Sequence, residues 1–165
     1  MCAFQINPYD KALHGAARKT FLSNVPALDS YFREQLSQDL KSRVTTCLVA
    51  TDPQGMIIGF YTLAASGVSL ADLPDEATRK LPRYPLVPVI RMGRLAIDHR
   101  FQGQGYGGIL LADAMARAIH SGVGAFAMVV DAKDQAAGAF YKHHGFIPFL
   151  NEPLTFYFPL ANVPS

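Results

Sequence analysis

The sequence predicts an α/β or α+β domain, a mixed sheet with helices packed on it. Three observations carry this. Helix-period and strand-type segments follow one another in the order helices, β-hairpin, β, α, β, α, β-β. Half of the 165 residues are hydrophobic, enough to build one domain with a sizeable core across residues 1–165. A glycine-rich stretch joins a strand to a long helical run, a junction that bares backbone N–H groups where a helix dipole begins.

The elements follow in order. Residues 1–10 offer only a short edge strand, and residues 11–19 form a short, Ala-rich, basic helix. Asn24 is placed to cap the next helix, with Pro26 tolerated in its first turn. Leu28, Phe32, Leu36 and Leu40 recur every four residues with Tyr31 beside them, which predicts an amphipathic helix over 27–41. Val44 to Thr51 and Met56 to Ala64 are β-rich. Asp52-Pro53-Gln54-Gly55 between them fits a type I turn, so the pair reads as an antiparallel hairpin.

Residues 66–86 break the regularity. Pro74, Pro82 and Pro85 forbid a long helix, though Asp75 to Leu81 has room for two turns. The insert carries Arg79, Lys80 and Arg83, and connections this long in a compact domain are often functional. Pro88 to Asp98 is a strand holding Arg91 and Arg94, each of which requires a partner, solvent or a ligand. Gly93 marks a bulge or a close backbone approach. Beyond the glycines, Leu110, Leu111, Ala114, Met115, Ala118 and Ile119 form one apolar stripe, with Asp113 and Arg117 on the other face. Gly124 to Val130 is apolar throughout, a strand buried on both faces. Asp134 caps a helix over 135–144 and Gly145 suits its C′ position. Phe146 to Phe149 and Leu154 to Leu160 make a final pair of strands.

The glycine stretch admits more than one ligand. Gly103, Gly105 and Gly108 match G-x-G-x-x-G, and Asp131 closes the next strand near the position of a ribose-binding acid, as in dinucleotide sites. Against that reading, polar Asp98 to Gln102 intervenes between strand and glycines, and too little chain follows for a doubly wound sheet. A P-loop fails because no Lys-Ser/Thr follows.

Gln102-Gly103-Gln104-Gly105-Tyr106-Gly107 resembles the Q/R-x-x-G-x-G/A acyl-CoA motif of the GNAT acetyltransferases. Arg94-Leu95-Ala96-Ile97-Asp98 is similar to that superfamily's fourth strand, and Asp131 to Phe146, with Phe140-Tyr141-Lys142-His143-His144-Gly145-Phe146, to its following strand and helix. Phe21 to Tyr31, Gln38 to Lys41 and the Pro-rich insert extend the resemblance to the acetyltransferase toxins of bacterial toxin–antitoxin pairs. The resemblance implies the GNAT fold, with a central mixed, largely antiparallel sheet. It implies acetylation of the amino acid on charged tRNA with acetyl-CoA, neutralisation by a ribbon-helix-helix antitoxin, and a homodimer.

Several residues acquire roles under this resemblance. The N–H groups of Gln102, Gly103, Gln104, Gly105, Tyr106, Gly107 and Gly108 can wrap the pyrophosphate of the donor. The backbone of Leu95, Ala96 and Ile97 is expected to pair with the pantetheine amides, as an added strand does. Tyr141 is the candidate general acid, since a phenol of pKa about 10 is protonated at neutral pH. Phe140 is a wall for the cofactor or a core residue, and Asp131 a candidate cofactor contact or base. Arg79, Lys80, Arg83, Arg91 and Arg94 could form a phosphate-binding surface for tRNA. The adjacent pair His143-His144 is a poor chelate, so no metal is expected. Rival readings are an acetyltransferase of a small amine or protein N-terminus, and an acyl-CoA-binding module without catalysis.

Whole-chain features bound these readings. The net charge of +2 neither demands nor excludes a nucleic acid partner. Cys2 and Cys47 show no metal or redox spacing. The N-terminus has no signal-peptide pattern and no apolar run approaches the ~20 residues of a membrane span, so a cytoplasmic protein without membrane attachment is expected.

Overall fold

The computed structural model describes residues 3–164; Met1, Cys2 and Ser165, and with them the reading of Cys2, lie outside the described residues. Seven strands form one sheet in the order β1-β2-β3-β4-β5-β7-β6. They are β1 (Gln5–Pro8), β2 (Thr46–Thr51), β3 (Ile57–Ser69), β4 (Leu86–Ile97), β5 (Ala127–Asp131), β6 (Ile147–Pro148) and β7 (Thr155–Pro159). The helices are α1 (Lys11–Arg18), α2 (Pro26–Ser30), α3 (Leu36–Lys41), α4 (Asp75–Thr78), α5 (Tyr106–His120) and α6 (Gln135–His143). The chain packs as two compact units, one of residues up to Ala64 with Gly93–Ala114, the other of Ala65–Met92 with the residues from Met115 onward.

In the first unit β1, β2 and β3 are antiparallel, with Ile6 opposite Ala50 and Val49 opposite Phe60. The hairpin turn is fixed by local chemistry. Gly55 donates to the Asp52 carbonyl at 3.0 Å, and the Asp52 carboxylate accepts from Gln54 and Met56 N–H. The core is aromatic. Phe32 stacks on Phe60 with centroids 4.1 Å apart, and Phe21 meets both rings edge-on. Such pairs add about 0.5–1.5 kcal/mol each beyond area burial.

The expected helix over 27–41 is present as a stripe but not as one helix. A π-helical turn, Tyr31–Gln35, separates α2 from α3. Insertion of one extra residue per turn keeps Phe32 and Leu36, both fully buried, in the same core. Asn24 is not the cap that the sequence suggested. Its φ is +69°, a left-handed turn residue. Ser23 and Asp29 organise the entry instead, Asp29 accepting from both the Ser23 N–H and hydroxyl while Val25 N–H donates to Ser23 Oγ at 3.2 Å.

In the second unit β4 and β5 are parallel, Val89 facing Ala127 and Met92 facing Val130. β5 and β7 are antiparallel, as are β7 and β6. Val129 and Val130 are fully buried, as the unbroken apolar run required. Val68, Val87, Val89, Phe149 and Tyr157 complete a second core. Asp134 caps α6 through a 2.9 Å bond from Ala137 N–H, and Gly145 takes φ +91° at its end. The insert forms the single turn α4 and a short 3₁₀ turn, Leu70–Asp72, rather than two helical turns.

Candidate active site

The glycine loop is locked where it leaves β4. Asp98 is fully buried, and its carboxylate accepts from Leu22 N–H at 3.1 Å, Arg100 N–H at 2.9 Å, Arg100 Nε at 2.8 Å and Arg100 Nη2 at 3.0 Å. Burial alone would raise its pKa. The Arg100 side chain and backbone, the Leu22 N–H and the Arg100 charge outweigh burial and hold it below the usual carboxylate range. His99 N–H donates to the Leu22 carbonyl at 2.8 Å. The Gln102 side-chain amide donates to the carbonyls of Ser23 and Ile97, both at 2.9 Å. Gln102 therefore uses its side chain to hold the polypeptide, and only its backbone is free for a ligand.

Gly103 and Gly105 have φ of +76° and +87°, which only glycine adopts without strain. A Cβ at Gly103 would meet open space, so backbone conformation, not crowding within the protein, is what this glycine supplies. Gln102, Gly103, Gln104 and Gly105 are exposed, and the 15-residue α5 begins at Tyr106. An exposed N–H cradle at the start of a long helix fits the pyrophosphate of an acyl-CoA. Tyr106 enters the expectation only through its backbone N–H. Its ring is buried and meets Phe4 and Phe101 edge-on, so it is a core residue with only backbone near the cradle. Gly107 and Gly108 are half-buried in the first turn of α5.

Leu95 and Ile97 are half-buried and Ala96 is buried. A Cβ on Gly59 of β3 would lie 2.6 Å from the Ala96 carbonyl, so β3 covers one edge of this stretch at closest approach. The ladder with β5 covers Val89 to Met92.

Tyr141 is buried on α6, its ring between those of Phe140, Phe146 and Phe156 at 5.2–6.3 Å. Burial, and then the negative charge of Asp131, push the phenol up to about 12. At neutral pH it rests as the protonated donor. Phe140 is half-buried and edge-on to Tyr141 and His144. Asp131 is not a free base. It is ion-paired with Arg91 and accepts from the Thr155 hydroxyl at 2.9 Å. His143, His144 and Lys142 are exposed. Among the described residues no group of three or more His, Cys, Asp or Glu could hold a metal ion, and no helix is long and apolar enough to cross a membrane.

The five basic candidates divide by environment. Arg79, Lys80 and Arg83 are exposed on the insert and make no ion pair among the described residues. Arg91 is committed to Asp131. Arg94 stacks on Tyr31, 3.4 Å from the ring centroid, beside a cleft of about 380 Å³ that Ser30 and Glu34 also line. The sequence reading placed Tyr31 beside an ordinary helical stripe and missed that its ring holds this arginine while its hydroxyl bonds Asp39.

Comparison with known proteins agrees with this geometry. The acetyltransferase (GNAT) domain family matches residues 43–148. The chain is 37% identical to a tRNA-acetylating toxin of Mycobacterium tuberculosis over 137 residues, 82% of this chain and 81% of that protein. Its structure is similar to a crystallised tyrosine-to-phenylalanine mutant of KacT, with TM-score 0.87, 26% identity and coverage of 96% and 95% of the two chains. It is also similar to AtaT complexed with acetyl-methionyl-tRNAfMet, with TM-score 0.83, 28% identity and 96% of each chain covered. An AtaT mutant bound to the C-terminus of the antitoxin AtaR and acetyl-CoA matches with TM-score 0.77 and 25% identity, over 96% of this chain and 94% of that one. The dinucleotide alternative for the glycine loop is thereby overturned. Motif, fold and relatives agree, and the chain belongs to the GNAT family of acetyl-CoA-dependent acetyltransferases.

Proposed function

We propose that this protein acetylates the α-amino group of an aminoacyl-tRNA and so blocks translation as the toxin of a toxin–antitoxin pair. The likeness to a tRNA-acetylating toxin over most of the chain carries the reading. Acetyl-CoA supplies the activated acetyl group. The N–H groups of residues 102–108 hold its pyrophosphate, and the backbone of Leu95, Ala96 and Ile97 pairs with its pantetheine amides. The Tyr141 hydroxyl donates to the sulfur as negative charge develops there. Tyr141 acts first as a hydrogen-bond donor; as the C–S bond breaks it passes its proton to the departing sulfur and recovers one from the attacking nitrogen, which loses a proton as the amide forms. An α-amino group of pKa about 7.7–8.0 is partly neutral already, and a dedicated base is unnecessary. This agrees with an Asp131 carboxylate already occupied by Arg91 and Thr155.

In this reading Arg79, Lys80, Arg83 and Arg94 face the nucleic acid, the neutralising partner is a ribbon-helix-helix antitoxin, the active form is a homodimer and the reaction is cytoplasmic. The test incubates purified protein with acetyl-CoA and a panel of charged tRNAs and detects N-acetylated aminoacyl ends. Transfer is expected for at least one tRNA and is lost in Tyr141→Phe. Transfer to small amines or a protein N-terminus with none to tRNA would replace the tRNA reading.

A further inference from the structure

The insert presents an aromatic ring that the fold does not use. Tyr84 is 64% exposed and makes no ring contact among the described residues. It stands between Pro82 and Pro85, and a residue preceding proline is confined to extended backbone. The ring is therefore displayed from a stiff segment. Tyr84 lines a cleft of about 480 Å³ together with Ser69, Leu70, Leu73, Arg83 and Leu150. Leu70 N–H donates to the Pro85 carbonyl at 3.4 Å, and Leu150 N–H to the Asp72 carbonyl at 3.2 Å, which ties the rim to the second unit's core.

Charge defines the occupant. Arg79, Lys80 and Arg83 fall within five residues, all exposed and without an ion pair among the described residues. The cleft itself carries one carboxylate, Asp75. A flat apolar ring, cations outside it and an acceptor within it match an unpaired nucleotide. The base stacks on the ring, its phosphates meet the cations, and an exocyclic amino group donates to the carboxylate. Adenine, cytosine and guanine carry such a group, and the first two make up the terminal C-C-A of tRNA. We infer that Tyr84 is a stacking platform for an unpaired adenine or cytosine at the 3′ end of the acceptor tRNA, with Arg83 and its basic neighbours on the flanking phosphates. This rests on the aminoacyl-tRNA reading for the identity of the strand, while the stacking itself does not.

The experiment uses the whole protein and a labelled five-nucleotide RNA ending in C-C-A. Binding is followed by fluorescence anisotropy alongside steady-state acetylation of charged tRNA. Tyr84→Ala is expected to weaken RNA binding roughly 5- to 100-fold and to raise KM for tRNA with kcat little changed, and Tyr84→Phe to behave as wild type, since a phenyl face stacks as well. An equal loss in Tyr84→Phe, no loss in Tyr84→Ala, or no affinity of the wild type for the RNA overturns the inference. So does a Tyr84→Ala protein that sediments as a monomer while still binding RNA, because the ring is then a subunit contact. If the RNA effects hold but no charged tRNA is acetylated, the substrate reading fails and the platform stands. If tRNA is acetylated regardless of Tyr84, the reverse follows.

Discussion

The guanidinium of Arg94 lies 3.4 Å from the centroid of the Tyr31 ring, and the hydroxyl of that ring donates to Asp39 at 2.8 Å. A strand arginine thus has an aromatic face as its partner, with an acid holding the ring by its hydroxyl. Burial, and then the bond to Asp39, push the Tyr31 phenol well above its ordinary value, so this hydroxyl stays a donor at every working pH. Arg94→Ala is expected to cost about 0.5–2 kcal/mol. Tyr31→Phe keeps the stack and is expected to cost about 1 kcal/mol for the lost hydrogen bond. Urea unfolding of Arg94→Ala, Tyr31→Leu and their double mutant gives the coupling; a value near zero removes the stack from the stability account.

Gly59 and Gly103 resist the same substitution for different reasons. At Gly59 a Cβ would stand 2.6 Å from the Ala96 carbonyl and 2.7 Å from Ile97 Cδ1, and a backbone atom cannot step aside. Gly59→Ala is expected to cost about 1–3 kcal/mol or more, visible as a lower urea midpoint. At Gly103 the space is open and only φ +76° resists, so Gly103→Ala is expected to cost about 1–2 kcal/mol. Its main effect should fall on KM for acetyl-CoA, because relief of that strain turns the loop's N–H groups away.

Asp98 should mark the acid limb of stability. Its carboxyl is held below the ordinary ~3.9 of an unfolded aspartate. The stability it contributes is therefore complete above that value and is lost as pH falls through the lower, folded-state pKa. Asp98→Asn is expected to lower stability by about 1–3 kcal/mol at neutral pH, with a smaller gap below pH ~3. A gap that stays constant into acid would mean that the charge contributes nothing and only shape matters.

If Tyr141 is the proposed acid, its titration is expected to set the alkaline limb of the rate. With the phenol near 12, kcat is not expected to fall through pH 9–10 as an ordinary tyrosine acid would require. Tyr141→Phe is expected to reduce kcat about 10²- to 10⁴-fold with acetyl-CoA affinity within a few-fold of wild type. An unchanged kcat in this variant would exclude the hydroxyl from the reaction.

What could be read from the sequence was local. The hairpin was legible because Asp52 makes its turn with its own side chain, and α6 because Asp134 and Gly145 mark its ends. The apolar stripe of 28–40 was legible too, but not the π-helical turn within it, which depends on where Phe32 meets Phe60. Asn24 looked like a cap because its type suits one; the helix instead starts after Val25 without a side-chain cap, and Ser23 bonded to Asp29 fixes the entry. At the site, the positive φ of Gly103 and Gly105 is what the structure adds, while an exposed glycine-rich backbone before a long helix followed from residue type. The burial of Tyr106 and the occupation of Asp131 by Arg91 did not, since both depend on partners far along the chain.

The bonds from Gln102 to Ser23 and Ile97, and from Leu22 to Asp98, have a consequence for the grammar of the motif. The side chain of Gln102 is addressed to the polypeptide, which leaves the exposed backbone of the loop as the part open to a donor. The side chain of Gln102 is thus a joint rather than a contact. The same joint could persist in a relative that had exchanged its donor for another, or had stopped doing chemistry altogether.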